Sequence, residues 1–176
     1  MRSFEELSTS VRIRASRRQF DETVRAYGAG AYRSATIALW ICLLLDLVEK
    51  LRILADSGDA AAKALIADVD KAREGHDVQK MLELEGGLLD RACSDFELIT
   101  RREKSELERL RDDRNACAHP SFHGEGEEPY DMAPEQVRAY MVLVVDSVLS
   151  QPPLVGKALV ERFIADTKAP RGLRRA

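Results

Sequence analysis

The chain has 176 residues, 45% of them hydrophobic, which is enough for one domain with a real core and excludes a disordered chain. Its 27 basic and 30 acidic side chains leave a formal net charge of −3. That excludes broad electrostatic capture of nucleic acid, so any such site must be a local basic patch.

From the N-terminus, Ser3 followed by Glu5 and Glu6 predicts a helix start. The segment from there to Tyr27 is amphipathic and rich in arginine, and Gly28 and Gly30 bracket a short break. These early acids leave no apolar signal segment. From 32 to about 54 the sequence is apolar on nearly every face, with Ile37, Leu39, Trp40, Leu43, Leu47 and Leu51, which predicts a central buried helix. Its longest apolar run, 35–45, is too short to span a bilayer and ends at Asp46, so a chain without membrane partners is expected. Asp46 and Glu49 are the acids within this helix. They read as facing a functional cleft, as a solvent-turned face or as members of ion pairs.

Asp59 caps a helix predicted over 60–73, ended by Gly75, with His76 as a surface loop residue. A short helix over 77–85 is expected to stop at Gly86-Gly87, with another over 88–99. The segment 100–118 is helical, with acids and bases interleaved. Pro134 opens an amphipathic helix over 135–149, Pro152-Pro153 breaks the chain, and a last helix runs to about 166. The tail from 168 carries four basic residues and no acids. No strand alternation, repeat or glycine-rich phosphate loop is present. The expected fold class is all-α, divided into an N-terminal Arg-rich helix (1–26), a helical core (27–150) and a C-terminal helix with a basic tail (151–176).

The three cysteines, Cys42, Cys93 and Cys117, are widely spaced. They offer neither a disulfide framework nor metal-ligand spacing and fit a reducing, cytoplasmic setting. Neither a metal nor a cofactor is expected. Cys117 reads as a packing residue.

The segment Arg111-Asp112-Asp113-Arg114-Asn115-Ala116-Cys117-Ala118-His119-Pro120 stands apart. Its apolar stripe runs through Leu107, Leu110 and Cys117, and Arg114 occupies the heptad position where an aliphatic side chain belongs. A charge there must be paired with a carboxylate, face a partner subunit or serve a ligand. Arg111, Asn115 and His119 recur every four residues and share a helix face. Pro120 disfavours helical backbone at His119, which puts the imidazole at the helix end, where it acts either as a charge on the helix dipole or as a proton carrier. A guanidinium fork that grips phosphate and an imidazole that titrates near neutrality are the minimum kit for metal-free RNA cleavage. His123, in an acidic loop, is a second proton-carrier candidate. Arg12, Arg14, Arg17, Arg18, Arg101 and Arg102 could track RNA or form solvated helix faces.

On the spacing Arg114-Asn115-Ala116-Cys117-Ala118-His119, and on Ala31-Tyr32-Arg33-Ser34-Ala35 leading into an apolar helix with Trp40, the chain resembles the HEPN superfamily. These are helical domains of toxin–antitoxin, abortive-infection and CRISPR-associated ribonucleases, marked by R-x(4–6)-H. The resemblance covers roughly 27–149. It implies a homodimer with a composite cleft and metal-independent RNA cleavage by the ribose 2′-OH. His119 would be the general acid or base, Arg114 the charge stabiliser, and Asn115 a positioning group. An antitoxin or effector partner is also implied. Some family toxins carry a tyrosine two residues after the histidine, modified by a partner nucleotidyltransferase; here Ser121 stands there, followed by Phe122. Two alternatives remain: a non-catalytic HEPN-like nucleotide-binding or dimerisation module of a larger system, expected to bury Arg114 against Asp46 or Glu49, and an unrelated structural bundle.

Overall fold

The computed structural model describes residues 2–119, 130 and 132–152. The described residues form seven α-helices and no strand, so the fold is all-α. In chain order these are α1 (Phe4–Ser10), α2 (Arg14–Gly28), α3 (Tyr32–Asp56), α4 (Ala60–Glu74), α5 (Val78–Ser94), α6 (Arg101–Ala118) and α7 (Pro134–Val144). The last continues as a π-helical turn, Val145–Leu149.

Local chemistry fixes most helix starts. Ser3 Oγ accepts from the Glu6 N–H at 3.1 Å while the Glu6 carboxylate accepts from the Ser3 N–H at 2.5 Å, a reciprocal cap that satisfies two donors otherwise orphaned. Thr100 and Glu103 repeat the device on α6. Asp59 caps α4 through the Ala62 N–H at 2.8 Å.

Helix α3 is the centre. Leu39, Trp40, Leu43, Leu47 and Leu51 are fully buried, and α2, α4, α6 and α7 pack around them. Leu7, Val11 and Phe20 from the first two helices join the same core cluster. Asp46 and Lys50 lie inside it at 0% and 2% side-chain exposure, 2.6 Å apart. Burial pushes the Asp46 carboxyl up and the Lys50 ammonium down, against their mutual attraction. Lys50 also donates to the carbonyl of Val148 in the π-helical turn, which accepts the Gln151 N–H as well.

Three expectations need correction. The Arg-rich N-terminal segment is two helices, not one. The chain turns extended at Val11, whose carbonyl is held by the Arg17 guanidinium at 2.5 Å, and the Arg12 N–H pairs with the Leu149 carbonyl at 3.0 Å. Secondly, α5 runs without interruption through Gly86-Gly87. Each mid-helix glycine costs about 0.5–1 kcal/mol relative to alanine, and burial of Leu88, Leu89 and Ala92 on α5 outweighs it. Thirdly, α5 ends at Ser94 rather than near 99, and the chain reverses through Glu97 at φ 51°. The predicted helix to 166 and the basic tail lie outside the described residues. Among the described residues no helix is long and apolar enough to cross a membrane.

Asp46→Ala strands the Lys50 ammonium in the core and is expected to destabilise the fold by about 3–5 kcal/mol, whereas replacing both partners with apolar residues of similar volume should be neutral or stabilising. Gly86→Ala meets no atom within 4 Å of its new Cβ and should stabilise by about 0.5–1 kcal/mol. Denaturant midpoints at constant slope check both expectations.

Candidate functional site

Helix α6 carries the Arg–His segment, and its last turn is held from outside. Arg33, in the first turn of α3, donates to the Cys117 carbonyl at 2.6 Å. This satisfies a terminal carbonyl and sets a positive charge at the negative end of the helix dipole. Cys117 is buried at 2% exposure, in line with a packing role. His119 leaves the helix in extended geometry, φ −90° and ψ 138°, as expected of a residue before proline. It is exposed, and its backbone N–H still pairs with the Asn115 carbonyl at 3.1 Å.

Arg114 is partly buried at 22% exposure, and its partner is neither Asp46 nor Glu49 but Glu85 of α5, with Nη2 to Oε1 at 3.0 Å. The same oxygen accepts from the Trp40 indole N–H of α3 at 2.7 Å. Arg114 Nη1 donates to Asn115 Oδ1 at 2.9 Å, and the guanidinium carbon lies 5.9 Å from the Trp40 ring centroid. Nε is buried and finds no hydrogen-bond partner among the described residues. One carboxylate oxygen therefore ties α3, α5 and α6 together at the arginine. A charge-assisted pair of this kind contributes more than a neutral hydrogen bond. Removing one partner would leave a buried donor unsatisfied, at a cost of about 1–3 kcal/mol.

The structure thus brings Arg114 and Asn115 together and joins His119 to them through the backbone. Arg111 instead lies against Asp112, Nε to Oδ1 at 3.7 Å. Asp46 is committed to Lys50, and Glu49 approaches Arg52 at 4.0 Å. His123, with Ser121 and Phe122, lies outside the described residues.

Four contributors escaped the sequence reading: Glu85, Trp40 as a hydrogen-bond donor, Arg33 as a helix-end ligand, and Asp113. Glu85 had a signal. It stands three and four residues before Leu88 and Leu89, so it occupies the core-facing stripe of α5, the same anomaly that singled out Arg114; ending a helix at Gly86 hid that periodicity. Asp113 had none, because its partners lie 17, 23 and 27 residues further along the chain. It accepts from Tyr130 Oη at 2.7 Å, Tyr140 Oη at 2.6 Å and Gln136 Nε2 at 2.7 Å, and so ties α7 to α6 one residue before Arg114.

On the other side of Glu85 lies an apolar groove of about 360 Å³ between α3, α4 and α5, walled by Leu44, Val48, Leu65, Val69 and Leu88. Val78, Met81 and Leu82 line it too and are 46–68% exposed, and Ile41 and Leu45 of α3 are 42% and 43% exposed. Among the described residues no group of three or more His, Cys, Asp or Glu side chains could hold a metal ion. Comparison of the chain with family models, with curated proteins and with solved structures finds no match.

The Asp113 hydrogen bond, with burial second, raises the Tyr130 phenol from the ordinary 10 to about 12. A phenol more basic in the folded chain contributes stability that is complete below its unfolded pKa and is lost as pH rises through the folded one. Stability from this contact is therefore expected to fall between pH 10 and about 12. The difference in phenolate absorbance between wild type and Tyr130→Phe should titrate near the upper value, and Asp113→Ala should bring it back down.

Proposed function

We propose that the protein is a metal-independent endoribonuclease of HEPN type, acting in a cytoplasmic toxin or defence system, with Arg114 and His119 as its catalytic residues and Asn115 as a positioning group. The observation that carries this reading is the state of the two ends of the motif. Arg114 is fixed in orientation by two acceptors yet reachable, and five residues on His119 is exposed on extended backbone at the end of the same helix.

Such a pair suits transesterification. His119 takes the proton from a ribose 2′-OH, whose oxygen bonds to the adjacent phosphorus. The bond from phosphorus to the 5′-oxygen breaks, and that oxygen receives a proton. The products are a 2′,3′-cyclic phosphate and a 5′-OH. Arg114 offers the developing phosphorane charge a planar fork in a partly desolvated setting, where such stabilisation is strongest. Histidine is the side chain whose chemistry suits both proton transfers near neutral pH. The uncovered apolar face of α3 and α5, with Glu85 on its groove wall, supports a homodimer in which a second copy covers that face beside each Arg114. A patch of this kind on a charged chain is otherwise a liability in water. RNA, a second copy and an antitoxin or effector are the partners this reading calls for.

A second reading, a non-catalytic nucleotide-binding or dimerisation module, is favoured by the carboxylate already paired with Arg114.

RNA cleavage in EDTA separates the two. Wild type should leave cyclic phosphates. His119→Ala should lower the rate by roughly 10²–10⁴-fold and Arg114→Ala by roughly 10²–10³-fold. His119 is exposed, so its truncation should change stability by no more than about 0.5 kcal/mol. Full activity in His119→Ala, or no cutting by folded wild type, sinks the nuclease reading. Sedimentation of wild type against Leu82→Glu tests the dimer: a dimer that becomes a monomer supports it, and a wild-type monomer refutes it.

A further inference from the structure

We propose that Glu85 is a positioning residue of this site: pinned by the Trp40 indole, its carboxylate holds the Arg114 guanidinium so that the remaining N–H groups receive a phosphate oxyanion. The proposal rests on the reading of Arg114 and His119 as an RNA-cleaving pair.

A carboxylate beside a phosphate-binding arginine can play two opposite parts. It can compete with the incoming phosphate and be displaced, or it can stay and aim the arginine. The geometry around Glu85 decides between them. Its Oε1 is shared by two donors, Arg114 Nη2 at 3.0 Å and Trp40 Nε1 at 2.7 Å. Trp40 is fully buried, so its N–H loses its acceptor if the carboxylate swings away. Displacing Glu85 would leave a buried indole donor unsatisfied, a penalty with no counterpart in an exposed ion pair. The phosphate therefore adds to this arrangement rather than replacing Glu85.

The donor inventory agrees. Arginine has five N–H groups in a rigid fork. The one on Nε is buried. Glu85 takes one proton of Nη2 and Asn115 one of Nη1. One N–H remains on each terminal nitrogen, and free guanidinium donors of this kind bind phosphate oxygens well. The Glu85 and Asn115 acceptors and the indole beneath the guanidinium fix its plane. Positioning of this kind acts on the reaction step, because a misaimed group loses contacts in the transition state before it loses substrate. Glu85 touches neither substrate nor reacting atoms and acts through Arg114.

Trp40 is the only tryptophan in the chain, so its fluorescence reports on this cluster without any reference to cleavage. The experiment compares full-length wild type, Glu85→Ala, Glu85→Gln and Arg114→Ala, each well below its melting temperature. Two readouts are taken: kcat and KM for RNA in EDTA, and a titration with inorganic phosphate followed by Trp40 emission. In Glu85→Ala, kcat is expected to fall by about 10²-fold with little change in KM. Glu85→Gln, whose amide oxygen still accepts from both donors, should recover most of that loss. The phosphate response should saturate in wild type, weaken in Glu85→Ala and vanish in Arg114→Ala. Faster cleavage or tighter phosphate binding in either Glu85 variant would make the carboxylate a competitor and overturn the proposal, as would wild-type kcat in Glu85→Ala. If wild type cuts no RNA, the nuclease reading fails separately, and the phosphate titration alone decides the role of Glu85: the pattern above supports it, and an unresponsive wild type refutes it.

Discussion

A 25-residue helix that is apolar on nearly every face cannot stand in water, and covering α3 is the constraint that the other helices meet. α2, α4, α6 and α7 each give it one stripe. The cover is tight enough that an aspartate and a lysine one turn apart on α3 are sealed in together. Their desolvation is tolerated because each is the other's partner and because the lysine also donates to the Val148 carbonyl in the π-helical turn. The same constraint is left partly unmet along Ile41, Leu45 and Ile53, which stay 42–45% exposed. The open groove lined by Leu44 and Val48 of α3 also has Glu85 in its wall, so the arginine cluster adjoins this uncovered apolar surface.

That cluster shows how a charge can sit on a core stripe. Arg114 on α6 and Glu85 on α5 both stand where aliphatic residues belong, and each makes the other's placement tolerable. Trp40 adds a third helix through a polar tip on an otherwise apolar body. Arg33 and Asp113 hold the same stretch of α6 from its end and from its flank. A helix fixed at this many points gives its side chains little freedom.

Much of this was legible in the sequence where a signal is local. Ser3 and Asp59 as caps and Pro134 as a first helical residue marked helix starts, because such signals are read within four residues. The apolar composition of α3 announced its burial. The anomaly at Arg114 was visible as a broken stripe, and the extended backbone of His119 followed from Pro120. What failed was non-local. Val11-Arg12-Ile13 contains neither glycine nor proline, and the bend there depends on Arg17 and on Leu149, far along the chain. Gly86-Gly87 reads as a stop by propensity alone, but burial of the residues that follow overrules it. The carboxylate that pairs with Arg114 could not be chosen among the chain's 30 acids without knowing which helices meet.

The bend at Val11 has a consequence of its own. Through it, residues 2–12 lie along 138–150: Arg2 pairs with Asp146 at 2.6 Å, Arg138 donates to the Arg2 carbonyl at 2.5 Å, and Arg12 takes both the Leu149 and Ser150 carbonyls. The first helix and the last described turn are thus latched to each other as well as to the core. Neither can peel away alone without breaking the latch, so the two should open as one cooperative unit. Local opening of α1 and of the π-helical turn, elements far apart in sequence, is thus a single shared event.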